Sequence, residues 1–518
     1  MRFNLGEPHM TDPKSRRQFL KSTAVGGLAW SAAEWGFLGT LPRVSAAEAQ
    51  SVRGVVAFGP EIEPLVRLIE ETPRARVLEE LSQKIRGGAT YPQVLAALQL
   101  AGIRNVQPRP SVGFKFHSVL VVNSCHLASL AGPEEERWLP IFWAVDYFKS
   151  AQAEEASKTG WKMSAVNESK VPAASAAVAQ FTDAMDRWDV EQADAATAGL
   201  VRSLPAEQIF PLFARYAARD FRSIGHKAIF LANAWRTLQV IGWNHAEPVL
   251  RSLAFAMLAH TDEPNPAQSD LAPDRPWRDN QSLAAKVPQG WLAGRTEVSA
   301  ARDMIASFRT GSAKDAADAA IETLGRGADA ASVWDGIFVG AGELLMRQPG
   351  IVSLHGLTTA NAVHYIWKNV PDEALRRQLL LQACSFNSLF RGSAEQRGKL
   401  ASLRVEDVAP AGGVSGGPFT VEEIFADVSG DRLRAGRKLH DYLVHGGSAE
   451  AVLDTARRLV FQKGRDAHDY KFSAAVLEDF SNVSPALRNE FLALSVFNLK
   501  GTGDRNSDLI DRTRSALS

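Results

Sequence analysis

The sequence predicts an all-α fold made of four helical modules. Apolar residues recur at spacings of three and four, as on the buried face of a helix, and few runs alternate with the period of two that a strand requires. The third observation is a histidine that opens an apolar helical stretch at four places. These stretches are HSVLVVNSCHLASLAG from His117, HKAIFLANAWRTLQVIG from His226, HGLTTANAVHYIWKNV from His355 and HDYKFSAAVLEDFSNV from His468.

The four histidines are 109, 129 and 113 residues apart. A standard solenoid repeat has about 20–50 residues, so each module must hold several helices. Two helical stretches precede each histidine, such as ARVLEELSQKIRGG and YPQVLAALQLAG before His117, and a polar break with a second apolar stretch follows it. Four helices in each of four modules give roughly sixteen helices.

The predicted modules cover residues of about 60–155, 175–262, 290–400 and 420–500, within a single domain of residues 47–518. Polar, Pro- and Gly-containing stretches between them are typical of connectors or functional loops. The pattern is compatible with modules that close into a ring and with modules that extend as a solenoid.

Composition excludes several classes of partner. The 58 Lys and Arg residues balance 58 Asp and Glu residues, so nothing favours nucleic acid or an anionic membrane surface. After the first fifty residues no stretch is long and apolar enough to span a bilayer. Cys125 and Cys384 are too few for a disulfide framework, and they form either one bridge or two buried thiols.

The N-terminal segment predicts export. The run SRRQFLK at residues 15–21 resembles the twin-arginine signal, and a weakly apolar stretch and the small residues of VSA at 44–46 follow it. We expect a signal peptide over residues 1–46, passage through the twin-arginine translocase, and a periplasmic or secreted protein. A basic tail before an amphipathic helix is the alternative interpretation.

The repeated histidines allow two hypotheses. A structural histidine at a helix start bonds a carbonyl of the preceding loop, whereas a functional set converges on a metal, haem or substrate. In the first three modules, further polar residues follow the leading histidine at similar offsets. The fourth module lacks the corresponding Asn, with Ala474 in its place, but it contains Lys471 and Glu478. The matching residues are Asn123 and His126, Asn233, and Asn361 and His364.

Helix geometry limits how these residues can combine. Nine residues at about 100° each place His126 on the opposite side of its helix from His117, and the same holds for His364 and His355. One shared binding site is therefore formed either by the leading histidines, such as His117 and His355, or by the second pair, His126 and His364, and not easily by both. H-E-x-x-H, C-x-x-C-H, G-x-S-x-G and a strand-linked G-x-G-x-x-G are absent from the sequence, so a helical zinc protease, a c-type haem, a nucleophile elbow and a nicotinamide fold are unsupported.

Four blocks in order resemble the questin oxidase-like family. They are FHSVLVVNSCHLASL, the stretch from GHKAIFLANAW to EPVLRSLAFAMLAH that ends at His260, LHGLTTANAV, and DAHDYK. The resemblance covers most of the chain after the signal. It implies an oxidoreductase that acts on an aromatic or polyketide-like small molecule by a Baeyer–Villiger type oxygenation with NADPH and oxygen. The chain departs from the family pattern at Leu231 and Ala232.

Carried over by position, the resemblance assigns catalytic roles to the four leading histidines and to Lys471, with Thr358 beside them. We assign substrate binding to Asn123, His126, Asn233, Thr358, Asn361 and His364. The sequence contains no nucleotide-binding motif for the NADPH that the resemblance implies. Binding of a metal or haem by the histidines stays a hypothesis. Two other functions remain: a non-catalytic helical-repeat binding protein, and a hydrolase or lyase with a histidine-bound metal.

Overall fold

A computed structural model describes residues 54–108, 116–258, 264–265, 270–410 and 417–518. Within these residues the predicted all-α class is confirmed, since they form 22 α-helices and no strand. Two isolated backbone bridges, Val55 with Ser164 and Arg295 with Ala328, are the β-type pairs of this part of the chain. The predicted signal peptide and His260 lie outside the described residues.

The helices are numbered in chain order. They are α1 (Glu63–Glu71), α2 (Val77–Arg86), α3 (Tyr91–Asn105), α4 (His117–Ala131), α5 (Leu139–Lys158), α6 (Ala174–Arg187), α7 (Val190–Ser203), α8 (Ala206–Ala217), α9 (His226–Ile241), α10 (Ala246–Leu258), α11 (Arg275–Leu283), α12 (Val298–Thr310), α13 (Ala313–Gly325), α14 (Ala330–Arg347), α15 (Ile351–Asn369), α16 (Glu373–Glu395), α17 (Val421–Val428), α18 (Arg432–Val444), α19 (Ala449–Lys463), α20 (Ala467–Asn482), α21 (Arg488–Ser495) and α22 (Ile510–Leu517).

The predicted number of roughly sixteen helices is wrong. The sixteen predicted stretches are helical, and the described residues add α1, α6, α11, α12, α17 and α22. Helix α11 lies in a proline-containing stretch that resembles a connector, but Pro276 is in its first turn, where the missing N–H costs no hydrogen bond. Helix α22 lies in a polar tail and buries Ile510, Thr513 and Ala516 on one face.

The four histidine-bearing helices form a closed ring. Helix α4 contacts α9, α9 contacts α15, α15 contacts α20, and α20 contacts α4. Each of them also contacts the helix before it and the helix after it, so the ring is enclosed by an outer layer made of α3, α5, α8, α10, α14, α16, α19 and α21. That the four segments are copies of one unit stays a prediction.

Burial explains why these helices occupy the centre. Twelve of the fifteen residues of α4 and fifteen of the nineteen residues of α15 are buried. Helices that are buried all round belong inside a large core rather than at its surface.

Cys125 on α4 and Cys384 on α16 are buried free thiols, so the alternative of one disulfide is wrong. Among the described residues, no helix combines the length and hydropathy needed to cross a membrane.

The N-terminal ends of the ring helices meet. His117 and His226 are the first residues of α4 and α9, and His468 is the second residue of α20. The prediction that a histidine opens each helix is wrong for His355, which is the fifth residue of α15. That helix begins one turn earlier, at Ile351, and Val352, Ser353 and Leu354 before the histidine are also buried.

Candidate metal centre

The four leading histidines converge at one buried place inside the ring. The Nε2 atom of His226 lies 3.2 Å from Nε2 of His117 and 3.1 Å from Nε2 of His355. The ring of His468 completes the cycle, with its centroid 4.6 Å from that of His117 and 5.1 Å from that of His355. All four side chains are buried. The structure therefore brings together residues that are 109 to 351 positions apart in the sequence.

A glycine allows two of these helices to approach. Gly225 precedes α9 with φ at +82°, which is the left-handed region that glycine adopts without strain. A Cβ atom at this position would overlap the side chain of Thr359 on α15. The close contact between α9 and α15 is the contact that sets His226 against His355.

Each anchored imidazole has its Nδ1 atom turned away from the centre. Nδ1 of His226 lies 2.7 Å from the carbonyl oxygen of Ser223, and Nδ1 of His355 lies 2.6 Å from that of Ile351. Nδ1 of His468 lies 3.3 Å from the Asp466 carboxylate. A carbonyl oxygen can only accept, so Nδ1 of His226 and of His355 carries the proton and Nε2 presents its lone pair to the centre. The structural hypothesis predicted a hydrogen bond from a histidine to a backbone carbonyl, and the functional hypothesis predicted that the histidines converge. Both features occur in the structure.

This tautomer makes the short nitrogen–nitrogen contact informative. Two lone pairs, on His226 and His355, face each other at 3.1 Å, and this is unfavourable unless a cation lies between them. Burial lowers the pKa of His117, His226 and His355 well below the ordinary value, and Lys471 lowers each of them further. The imidazoles are therefore neutral near pH 7, and an imidazolium proton does not relieve the contact.

The geometry fits a metal ion. Metal–nitrogen bonds of about 2.0–2.1 Å at tetrahedral angles place ligand nitrogens about 3.3 Å apart, close to the two observed distances. Ligand atoms of His117, His355 and His468 also lie within 4.8 Å of one another, and His226, which makes the two shorter contacts, lies outside this group of three. Haem fits less well, because a porphyrin leaves only two opposite axial positions, about 4 Å apart. Imidazole ligands suit zinc, copper, iron and nickel.

Lys471 lies beside this centre, one helical turn after His468. Its side chain is 2% exposed, its ammonium group has no hydrogen-bond partner, and burial lowers its pKa to about 7. It lines a cavity of about 20 Å³ inside the ring, together with Thr358 and three of the predicted asparagines, Asn123, Asn233 and Asn361. The sequence-predicted polar residues of the ring axis therefore share one small space.

Two of the predicted substrate-binding residues lie elsewhere. The Nδ1 atom of His126 is 3.1 Å from the Tyr91 hydroxyl, and His364 packs edge to face against Trp334 at 4.7 Å. Neither histidine lines the cavity, so the structure does not bring them together with the other predicted substrate-binding residues. The half-turn offset from His117 and His355 accounts for this, and of the two sets it is the leading histidines that meet.

Sequence reasoning missed Arg236 and Asp479. Arg236 lines the same cavity and binds Glu478 through two hydrogen bonds of 2.9 and 2.8 Å. Its signal was present, since it is the one charged residue between Lys227 and the end of an otherwise apolar helix. Asp479 is fully buried and accepts a hydrogen bond of 3.0 Å from Asn361, and desolvation raises its pKa to about 8.

Comparison with known proteins adds no assignment. No family model matches the chain, and no curated protein and no solved structure matches it.

Proposed function

We propose that this protein is a metal-dependent oxidoreductase whose metal is held by His117, His226, His355 and His468. The observation that carries the proposal is the convergence of four buried imidazoles, with lone pairs of His226 and His355 fixed towards each other by backbone carbonyls. Ligand histidines in metalloproteins are oriented in this way, with the second ring nitrogen bonded to a carbonyl or carboxylate. We expect iron or copper, because a redox-active ion supplies the electron chemistry and oxygen activation that an oxidoreductase needs.

The residues of the chain have distinct parts in this proposal. Ser223, Ile351 and Asp466 hold three imidazoles in one orientation, and the ring of helices keeps bulk water from them. A metal ion held by the histidines would disfavour a second positive charge beside it and would therefore favour the neutral form of the Lys471 amine. A neutral amine in this cavity of about 20 Å³ can take a proton from a water molecule there or return one.

The substrate class is proposed from the resemblance to questin oxidase-like proteins. We expect an aromatic or polyketide-like molecule that is oxygenated in a Baeyer–Villiger type reaction. The run at residues 15–21 leads us to propose export through the twin-arginine translocase, so a cytoplasmic NADPH supply is not assumed. Fractionation of cells that express the chain with Arg16 and Arg17 changed to Lys tests the export, since the variant should stay in the cytoplasm.

The function is tested by metal content and oxygen uptake. Protein purified after export is analysed by metal mass spectrometry, and oxygen uptake is followed with a hydroxylated anthraquinone, with and without NADPH. Bound iron or copper with substrate-dependent uptake supports the proposal. Stoichiometric zinc without uptake would point instead to a hydrolase or lyase, and a metal-free protein that tolerates His→Ala changes would point to a binding protein.

A further inference from the structure

A polar shaft continues from the metal centre along the axis of the ring. We define it by seven residues that line one cavity, at increasing sequence offsets from the histidines along the ring helices. Their side chains interrupt helices that are otherwise apolar, and Glu478 is ten residues, about 15 Å of helix, beyond His468. The shaft residues are Lys471 and Thr358, three residues after a histidine, then Asn123, Asn361 and Asn233, six or seven residues after, and then Arg236 and Glu478, ten residues after.

The cavity that the shaft residues line is a water-sized space with unsatisfied polar atoms. A volume of about 20 Å³ exceeds the roughly 10–15 Å³ that one water molecule requires. The Nζ atom of Lys471 and the Oδ1 atom of Asn123 are both buried without a hydrogen-bond partner. Leaving such atoms unpaired costs about 1–3 kcal/mol each. One water molecule between Lys471 and Asn123 would satisfy both.

The outer part of the shaft reaches solvent at Glu478. Its carboxylate accepts hydrogen bonds from Arg236 at 2.9 and 2.8 Å and from the Asn361 amide at 2.8 Å. The Glu478 side chain is 37% exposed, whereas that of Arg236 is 10% exposed. The charged and titratable groups that face it are Arg236 from α9, Tyr365 from α15 and Asp479 from its own helix. Glu478 thus touches both bulk water and the wall of the cavity.

We propose that Glu478 is the proton-transfer residue of this protein, which connects solvent to a water molecule in the shaft and through it to Lys471. The step conserves protons: a buffer acid protonates the Glu478 carboxylate, the carboxylic acid gives its proton to the shaft water, and the water gives one to the Lys471 amine. The reverse order releases a proton. This inference rests on the proposed function for its purpose, since the centre needs a supply of protons, but its geometry requires no metal.

The test is made on metal-free protein labelled with ¹⁵N-lysine. Nuclear magnetic resonance at pH 6 measures how fast the Lys471 ammonium protons exchange with water, with the signal assigned through Lys471→Met. We expect Glu478→Gln, which keeps the shape and an acceptor oxygen, to slow this exchange about 10-fold or more, because positioned acid–base groups accelerate proton transfer by roughly 100-fold or more. The matched control is Glu490→Gln, because Glu490 binds Arg302 with two contacts of 2.5 and 2.6 Å outside the ring.

Unchanged exchange in a folded Glu478→Gln variant, or equal slowing in Glu490→Gln, would overturn the proposal. If Glu478→Gln does not fold, Asn123→Leu decides, because it displaces the shaft water while leaving Glu478 in place. Slower Lys471 exchange in that variant supports the shaft, and unchanged exchange refutes it. Absence of bound metal in the wild-type protein would refute the proposed function without affecting this measurement.

Discussion

Replacing Lys471 by Met should stabilise the metal-free protein, and the gain should depend on pH. Burial lowers the Lys471 pKa from 10.5 to about 7, with the fully buried ammonium group as the cause. At 1.36 kcal/mol per pKa unit, this corresponds to about 5 kcal/mol of unfavourable free energy when the amine is charged in both folded and unfolded states. Methionine has a similar length and carries no charge, so it removes this cost.

The sign of the pH dependence follows from proton binding. Between pH 7 and 10.5 the unfolded chain keeps the Lys471 proton and the folded chain does not, so wild-type stability rises with pH in this window. Below pH 7 the full cost is present, and above 10.5 it is absent. The stability difference between Lys471→Met and wild type should therefore be largest near pH 6.5 and should decline towards pH 10.

Urea unfolding of both proteins, followed by circular dichroism at intervals between these pH values, gives the difference directly. A difference that does not change with pH, or a variant less stable than wild type at pH 6.5, would refute the view that a buried, unpaired ammonium lies beside the histidines.

Three further changes test the surroundings of the centre. Asp220→Asn should destabilise the protein by roughly 3–5 kcal/mol in urea unfolding, because it leaves the buried Lys227 ammonium without its carboxylate; a loss below 1 kcal/mol would contradict this. Gly225→Ala should cost at least about 1–3 kcal/mol and weaken metal binding, because φ is positive and the new Cβ meets Thr359; metal affinity equal to wild type would argue against the role given to this contact. The stability of Asp479→Asn relative to wild type should increase as pH rises from about 4 to 8. In this range the folded wild-type protein keeps the Asp479 proton, with a pKa of about 8, whereas the unfolded chain loses it near pH 3.8, so wild-type stability falls. A stability difference that does not change with pH would exclude a buried neutral acid.

The sequence predicted the helices and the leading histidines from local patterns. Period and apolar content identified the stretches around His117, His226, His355 and His468, and helix geometry predicted that the leading and second histidines do not easily share a centre. The sequence could not predict that the four histidines converge, because their convergence depends on the contact between α20 and α4 that closes the ring. That contact joins residues more than 300 positions apart, and nothing local encodes it.

Other features depended on tertiary contacts in the same way. The helix of His355 begins at Ile351, and three residues of that preceding turn are buried, a fact that the apolar pattern alone does not fix. Arg236 was visible as a charge in an apolar helix, but its partner Glu478 lies 242 residues away, so its role required the fold. The residues that hold the imidazoles, Ser223 and Ile351, act through backbone carbonyls, which leave no side-chain signal in a sequence.

The most direct test of the metal centre compares metal content among histidine variants. Mass spectrometry on purified wild-type protein should find one iron or copper ion per chain. His226→Ala and His355→Ala should each weaken binding by at least about 100-fold, since even residues that only orient a ligand contribute 10- to 100-fold. His364→Ala is the matched control, a buried histidine on the same helix as His355 that faces away from the centre, and it should keep its metal. Equal metal content in all three variants, or a wild-type protein that binds no metal, would contradict the account.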